Sequence, residues 1–91
     1  MFEWNDEKAG ANLAKHKVAF DAVYRFEWET AVEFEDDRFD YDELRMVAIG
    51  WIDGTLHTLT YTWRCDYIRV ISLRRSDKPE QNAYAEAKPK A

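Results

Sequence analysis

"LRMVAIGWIDGTLHTLTYTWRCDYIRVISLRR", Leu44–Arg75, reads as three β-strands joined by two short turns. Asp53-Gly54 separates the strand-like runs 44–52 and 55–63. Asp-Gly between such runs is a strong hairpin signal, because it supplies positive φ at low steric cost. The third run, 67–74, follows a short loop at Cys65-Asp66. The hydrophobic pattern sets the register of this second hairpin. With a two- or four-residue loop, Trp63 faces Ile68 and Tyr61 faces Val70, which gives one apolar face; Thr60, Thr62, Arg64 and Arg69 share the other. A one-residue slip would place Arg69 beside Tyr61 and spoil both faces. Two arginines and two hydroxyls on one face form a donor-rich surface suited to a polyanion. The plainer reading is the solvent-facing side of an antiparallel sheet.

Downstream, the strand runs into Arg74-Arg75 and then into the polar segment "SDKPEQNAYAEA". Ser76 or Asp77 suits a helix N-cap, Pro79 sits in the first turn where its missing N–H costs nothing, and Glu80 is placed for the helix dipole. The tail beyond about residue 86 is expected to fray. Upstream, "NDEKAGANLAKH" reads as a helix capped by Asn5, with Asp6 and Glu7 in its first turn and Lys15, His16 and Lys17 in its last. Lys8, Asn12, Lys15 and His16 recur at helical spacing and share one face. "AFDAVYRFEW", 19–28, predicts a second short helix burying Phe20, Val23 and Trp28 or Phe26. "AVEFE", 31–35, is a possible further strand leading into a charged loop.

At 91 residues the chain has room for one small domain spanning 1–91. A 46% hydrophobic content with two prolines and three glycines marks it as globular rather than disordered. The N-terminus lacks the basic start and apolar run of a signal peptide, and no run of eighteen apolar residues occurs, so a cytoplasmic protein without a membrane span is expected. A single cysteine, Cys65, leaves no intramolecular disulfide and no cluster for a metal; no cofactor is expected. The net charge of −5 is unevenly distributed. Residues 27–43 carry nine acids and one base, whereas residues 60–78 carry five bases and two acids. A basic patch in an acidic chain is compatible with a phosphate ligand, although surface charge often serves solvation alone.

"FEWNDEKAGANLAKHKVAF", "ELRMVAIG", "YTWR" and "RVISLRRSDKPEQNAYAE" together resemble the BrnT family of type II toxin–antitoxin toxins, in that family's order and spacing from Phe2 to about Glu86. The resemblance implies an α+β, RelE-like fold: N-terminal helices, a three- to four-stranded antiparallel sheet and a C-terminal helix. It implies an endoribonuclease that cleaves RNA without a metal and inhibits translation and growth. Its implied partner is a BrnA-like ribbon-helix-helix antitoxin, through which alone operator DNA is contacted, in a possible 2:2 assembly. By position the resemblance points to Phe2, Glu3, Trp4, Lys8, Asn12, Lys15, His16, Glu43, Arg45, Arg64, Arg69, Ser72, Arg74, Arg75, Glu80 and Tyr84. Two departures stand out. Lys17 occupies the place of a usual glycine after Lys-His, and the histidine that commonly precedes Glu-x-Arg is absent from "FDYDELR".

Metal-free RNA cleavage needs a base for the 2′-OH, cations for the phosphorane and an acid for the leaving 5′-oxygen. Arginine suits the second task through its planar fork. The expected catalytic set is Arg64, Arg69, His16, Glu43 and Tyr84, with Lys15, Arg45, Arg74 and Arg75 binding substrate. On this reading Arg74 and Arg75 extend the arginine face into a phosphate-binding rim. Each proton-transfer candidate has a structural alternative: His16 as a helix C-terminal cation, Glu43 as one acid among many, Tyr84 as a ring packed on the sheet. His57 reads as structural, and Cys65 lacks a base. A non-catalytic RNA- or ribosome-binding module and a small protein-interaction domain remain as competing readings. The acidic segment 27–43 either repels RNA from one side or receives a basic partner.

Overall fold

A computed structural model describes residues 1–36 and 43–87. Its elements are β1 (Phe2–Glu3), α1 (Asp6–His16), two short 3-10 helices (Phe20–Arg25 and Trp28–Thr30), β2 (Val32–Glu35), β3 (Met46–Ile52), β4 (Thr55–Arg64), β5 (Tyr67–Arg75) and α2 (Lys78–Ala87). The sheet order is β1-β5-β4-β3-β2. Both hairpins form where the turn residues predict: Asp53 and Gly54 have φ of 50° and 80°, and Cys65 has φ of 55°. Trp63 pairs with Ile68 and Tyr61 with Val70, in the expected register.

The fold is α+β with N- and C-terminal helices, but its sheet has five strands rather than three or four, and it is mixed rather than antiparallel. The added strand is β1, which lies parallel to β5 with Phe2 opposite Ile68 and Glu3 opposite Arg69. Two residues are too few to show a period, so sequence patterning could not reveal it. The predicted second helix also differs. Phe26 turns extended, at φ −67° and ψ 130°, and the Glu27 N–H bonds the Trp51 carbonyl at 3.0 Å. Tethering to the sheet therefore interrupts the helix between its two 3-10 pieces. Phe20, Val23 and Phe26 are buried as expected.

One face of the sheet packs Ala48, Ile52, Leu59, Tyr61, Ile68, Val70 and Leu73 against Phe20, Val23 and Phe26. Trp63 shares the strand phase of Tyr61 but lies beyond the core, 56% exposed. On β5 the core residues change phase, from even numbers (Ile68, Val70) to odd (Leu73). The chain accommodates this with a β-bulge: Tyr61 pairs with Val70 but Thr60 pairs with Ser72, so Ile71 is the extra residue. Beyond the bulge Arg74 pairs with Thr58 and Arg75 with His57. Because Thr58, Thr60 and Thr62 alternate onto one face, Arg69 and Arg74 share the outer face, and Arg75 points to the other. The expected rim of Arg74 and Arg75 together is thereby divided.

Asn12, which helical spacing groups with the polar face of α1, is buried. Its amide donates to the carbonyls of Leu73 (2.7 Å) and Val18 (3.0 Å), and its Oδ1 accepts the Leu73 N–H at 3.2 Å. Where β1 has ended, this side chain takes the place of a strand partner on the β5 edge. The helix then stops at Lys17, which adopts φ 62° and donates its N–H to the Leu13 carbonyl at 2.9 Å. Lysine thus performs the turn for which glycine is the low-strain residue.

Asn12→Ala is expected to destabilise the fold by about 2–3 kcal/mol, because buried Leu73 and Val18 backbone groups lose their partner. Denaturant unfolding would measure the loss. Lys17→Gly is expected to stabilise by a few tenths of a kcal/mol up to about 1 kcal/mol by relieving positive φ.

Candidate active site

The outer sheet face divides into two charged clusters along β4 and β5. The first lies at the Cys65-Asp66 turn. Thr62 is buried and donates its hydroxyl to the Leu44 carbonyl at 2.6 Å, which ties the start of the 43–46 segment to the hairpin. Glu43 is thereby brought against Arg64, with Oε2 3.3 Å from Nε and Oε1 3.4 Å from Nη2. Both side chains are substantially exposed, and such pairs contribute about 0–1 kcal/mol. Arg69 lies opposite Thr62 and diagonal to Arg64. The parallel β1 places Glu3 across from it, and Glu3 accepts from Arg69 Nη1 at 2.6 Å. Two guanidinium–carboxylate units therefore sit side by side, the first positioned by the Thr62–Leu44 bond and the second by the pairing of β1 with β5.

The second cluster lies past the bulge. Arg74 makes a two-pronged pair with Glu80, at 2.6 Å and 2.5 Å. Glu80 also accepts the Asp77 N–H at 2.9 Å, while Asp77 accepts the Glu80 N–H at 2.9 Å, a reciprocal helix cap. Asp77 is therefore the N-cap of α2. Burial raises the Glu80 carboxyl, but the hydrogen bonds from Arg74 and the Asp77 backbone outweigh it and hold the group below its usual range. His16, at the end of α1, is half-buried, and its imidazole is held below its ordinary value by burial and by the charges of Lys15 and Arg74. It is thus neutral near pH 7. Beside this cluster a groove of about 170 Å³ opens between Phe34, Val47, Thr60 and Arg74.

The structure thus brings Arg64, Arg69 and Glu43 together and sends His16 to the Arg74 end of the face. Tyr84 belongs to neither cluster. It is buried, accepts from Trp51 Nε1 at 3.1 Å and donates to the Thr30 carbonyl at 3.0 Å, so its phenol locks α2 onto the sheet. Lys15 is exposed on the last turn of α1. Arg45 is half-buried just before β3, and its carbonyl accepts the Asp36 N–H at 2.8 Å. Arg75 faces the opposite side of the sheet. The residues 37–42 of the acidic loop and 88–91 of the tail lie outside the described residues, so the expected charged loop and fraying fall there too.

Sequence patterning missed Glu3 as the partner of Arg69, since nothing in a two-residue strand announces its pairing. It read Glu80 as a dipole residue only. The spacing Asp77-x-x-Glu80 carried the cap, but the bond to Arg74 depends on the bulge.

A family model described as "Ribonuclease toxin, BrnT, of type II toxin-antitoxin system" matches residues 4–80. The chain belongs to the BrnT family. It is accordingly a ribonuclease toxin of a type II toxin–antitoxin system, with an antitoxin partner and RNA as its target. No curated protein matches it. Among the described residues of this toxin, no helix is long and apolar enough to cross a membrane.

The Arg74–Glu80 pair gives a pH test. Because Glu80 titrates lower in the folded toxin than in the unfolded chain, its stabilisation is fully present above the unfolded carboxylate range, near pH 4.5, and is lost as pH falls through the folded value. Thermal stability should therefore fall on acidification below about pH 4.5. Glu80→Gln should be less stable at neutral pH and show a shallower acid slope; an unchanged slope would show that the pair contributes nothing.

Proposed function

We propose that this BrnT-family chain is an endoribonuclease that cleaves RNA without a metal, using the Arg64–Glu43 and Arg69–Glu3 units at the β4–β5 turn. The observation that carries this reading is the pair of guanidiniums on one sheet face, Arg64 exposed and Arg69 half-buried, each resting on a single carboxylate. A phosphate offers the same planar fork two oxygens, so it can take the place of Glu43 on Arg64 at little cost. That exchange frees a carboxylate next to the bound phosphate, where it can accept the 2′-OH proton. Arg64 and Arg69 then supply the positive charge that the phosphorane needs. Tyr67, cross-strand from Arg64, stands as the hydroxyl donor for the departing 5′-oxygen.

His16, Lys15 and Arg74 serve on this reading as substrate-binding groups farther along the same face, with Arg45 supporting its base. Tyr84 is assigned a structural role. The architecture is taken as RelE-like: the antiparallel array β2-β3-β4-β5 flanked by helices, extended here by β1. The antitoxin is taken to be a BrnA-like ribbon-helix-helix protein that covers the arginine face, in a 2:2 assembly because such domains dimerise. The site of action is cytoplasmic.

Arg64→Ala and Glu43→Gln should each lower single-turnover RNA cleavage by roughly 10²–10³-fold. The melting temperature should hardly move, since an exposed pair contributes about 0–1 kcal/mol. Arg64→Lys should rescue weakly, because a point charge lacks the fork. His16→Ala should cost less than either, and cleavage should persist in excess chelator. Unchanged per-molecule activity in Arg64→Ala would sink the assignment, and complete loss of activity with chelator would sink metal independence.

A further inference from the structure

The bulge at Ile71 sends Arg74 to the outer face and leaves Arg75 on the other side, at the far end of the strands from the proposed cleavage site. His57 and Arg75 are paired seven residues along β4 from Arg64, or roughly 23 Å at 3.3 Å per residue. There Arg75 borders an open pocket of about 250 Å³ with Lys17, Arg25, Thr55 and His57. Two carboxylates, Asp21 and Asp53, also line it. Asp53 is engaged with Arg25 at 3.0 Å. Lys17 Nζ donates to the Ala14 carbonyl at 3.1 Å and retains two protons. Among the described residues Arg75 has no carboxylate partner, in contrast to Arg25, Arg64, Arg69 and Arg74. The pocket thus holds three fixed cations against two anions.

His57 adds a second feature. It is buried, at 7% exposure, yet lines this pocket. Its Nδ1 lies 2.8 Å from the Thr55 carbonyl, an acceptor, so Nδ1 carries the proton and Nε2 is the polar atom left over. The buried imidazole is thereby held in one orientation beside the Arg75 guanidinium, with Nε2 as an acceptor.

We propose that this pocket is a phosphate-binding site separate from the cleavage site, with Arg75 and Lys17 as its donors and the buried His57 ring as the wall beside them. A phosphate group suits it better than a carboxylate because its oxygens point in several directions, toward donors that approach from the end of α1 and from β5. The phosphate can come from a mononucleotide or from an RNA backbone. The inference does not depend on where this toxin cleaves RNA.

Backbone amide NMR of the full chain, titrated with inorganic phosphate at constant ionic strength set by chloride, tests it. The expected result is saturable shifts at Thr55, His57 and Arg75. Affinity should fall about tenfold in Arg75→Ala, as for loss of one hydrogen bond to a charged group. Arg75→Lys should retain part of the affinity, and both variants should keep the parent spectrum elsewhere. Adenosine should leave the pocket unshifted. Tighter binding of 5′-AMP than of phosphate assigns the source to a mononucleotide; tighter binding of a non-cleavable deoxyribo-oligonucleotide assigns it to a nucleic-acid backbone. Shifts that fail to saturate, that chloride reproduces, or that survive unchanged in Arg75→Ala overturn the proposal. So does an oligoglutamate peptide that binds the pocket more tightly than phosphate.

Discussion

The demand that Ile68, Val70 and Leu73 all face one core governs the rest of the molecule. Two of these residues are in one strand phase and the third in the other, and a regular strand cannot bury all three. The extra residue Ile71 resolves the conflict at the cost of a local break in the ladder with β4. Every charged side chain on β5 inherits its direction from that break. Arg69 before it and Arg74 after it lie on the threonine face, where Arg74 meets Glu80 of α2, whereas Arg75 lies on the side of His57 and Lys17. Without the bulge, Arg69 and Arg75 would share a face and Arg74 would lie in the core phase, where its charge would be costly to bury.

The same strand also organises its edge. β1 pairs with β5 over only two residues, so the backbone beyond needs other partners. The amide of Asn12 provides them at Leu73, which joins α1 to the sheet and fixes the direction in which the helix C-terminus emerges. Lys15, His16 and Lys17 are consequently carried to the Arg74–Arg75 end of β5. The neutral imidazole of His16 follows from this crowding: partial burial and neighbouring cations both disfavour its charged form.

Both hairpins, the register of the second at its turn, the N-cap at Asn5 and the helix at 78–87 were legible in the sequence because each rests on a local signal: Asp-Gly, alternation, or a capping residue three positions before the N–H it accepts. The long-range features were not. Pairing of Phe2-Glu3 with Ile68-Arg69 joins residues 66 apart, and no period develops in two residues. The bulge was in principle visible in the phase change between Val70 and Leu73, but Arg74-Arg75 read as one basic patch so long as the strand was taken as regular. Asn12 on α1 looked like part of a polar stripe, since helical spacing cannot distinguish an amide that meets solvent from one that meets a strand edge. Grouping of Arg64 with Glu43 depended on the Thr62–Leu44 hydrogen bond, a contact between segments that periodicity does not report.

A chain of net charge −5 that acts on RNA meets its substrate against its own field. The outer-face arginines do not offset this at a distance, because Glu3, Glu43 and Glu80 cancel them within a few ångströms. At physiological salt, charges more than about 8 Å away are largely screened, so recognition has to be made at contact. A guanidinium that must exchange a carboxylate for a phosphate gains less from any one phosphate than a bare cation would, and this weakens indiscriminate adhesion to polyanions. It favours an RNA that meets both forks, at Arg64 and Arg69, at once. By the same logic a protein partner that occludes the face around Thr62 needs no strong charge of its own to shut RNA out.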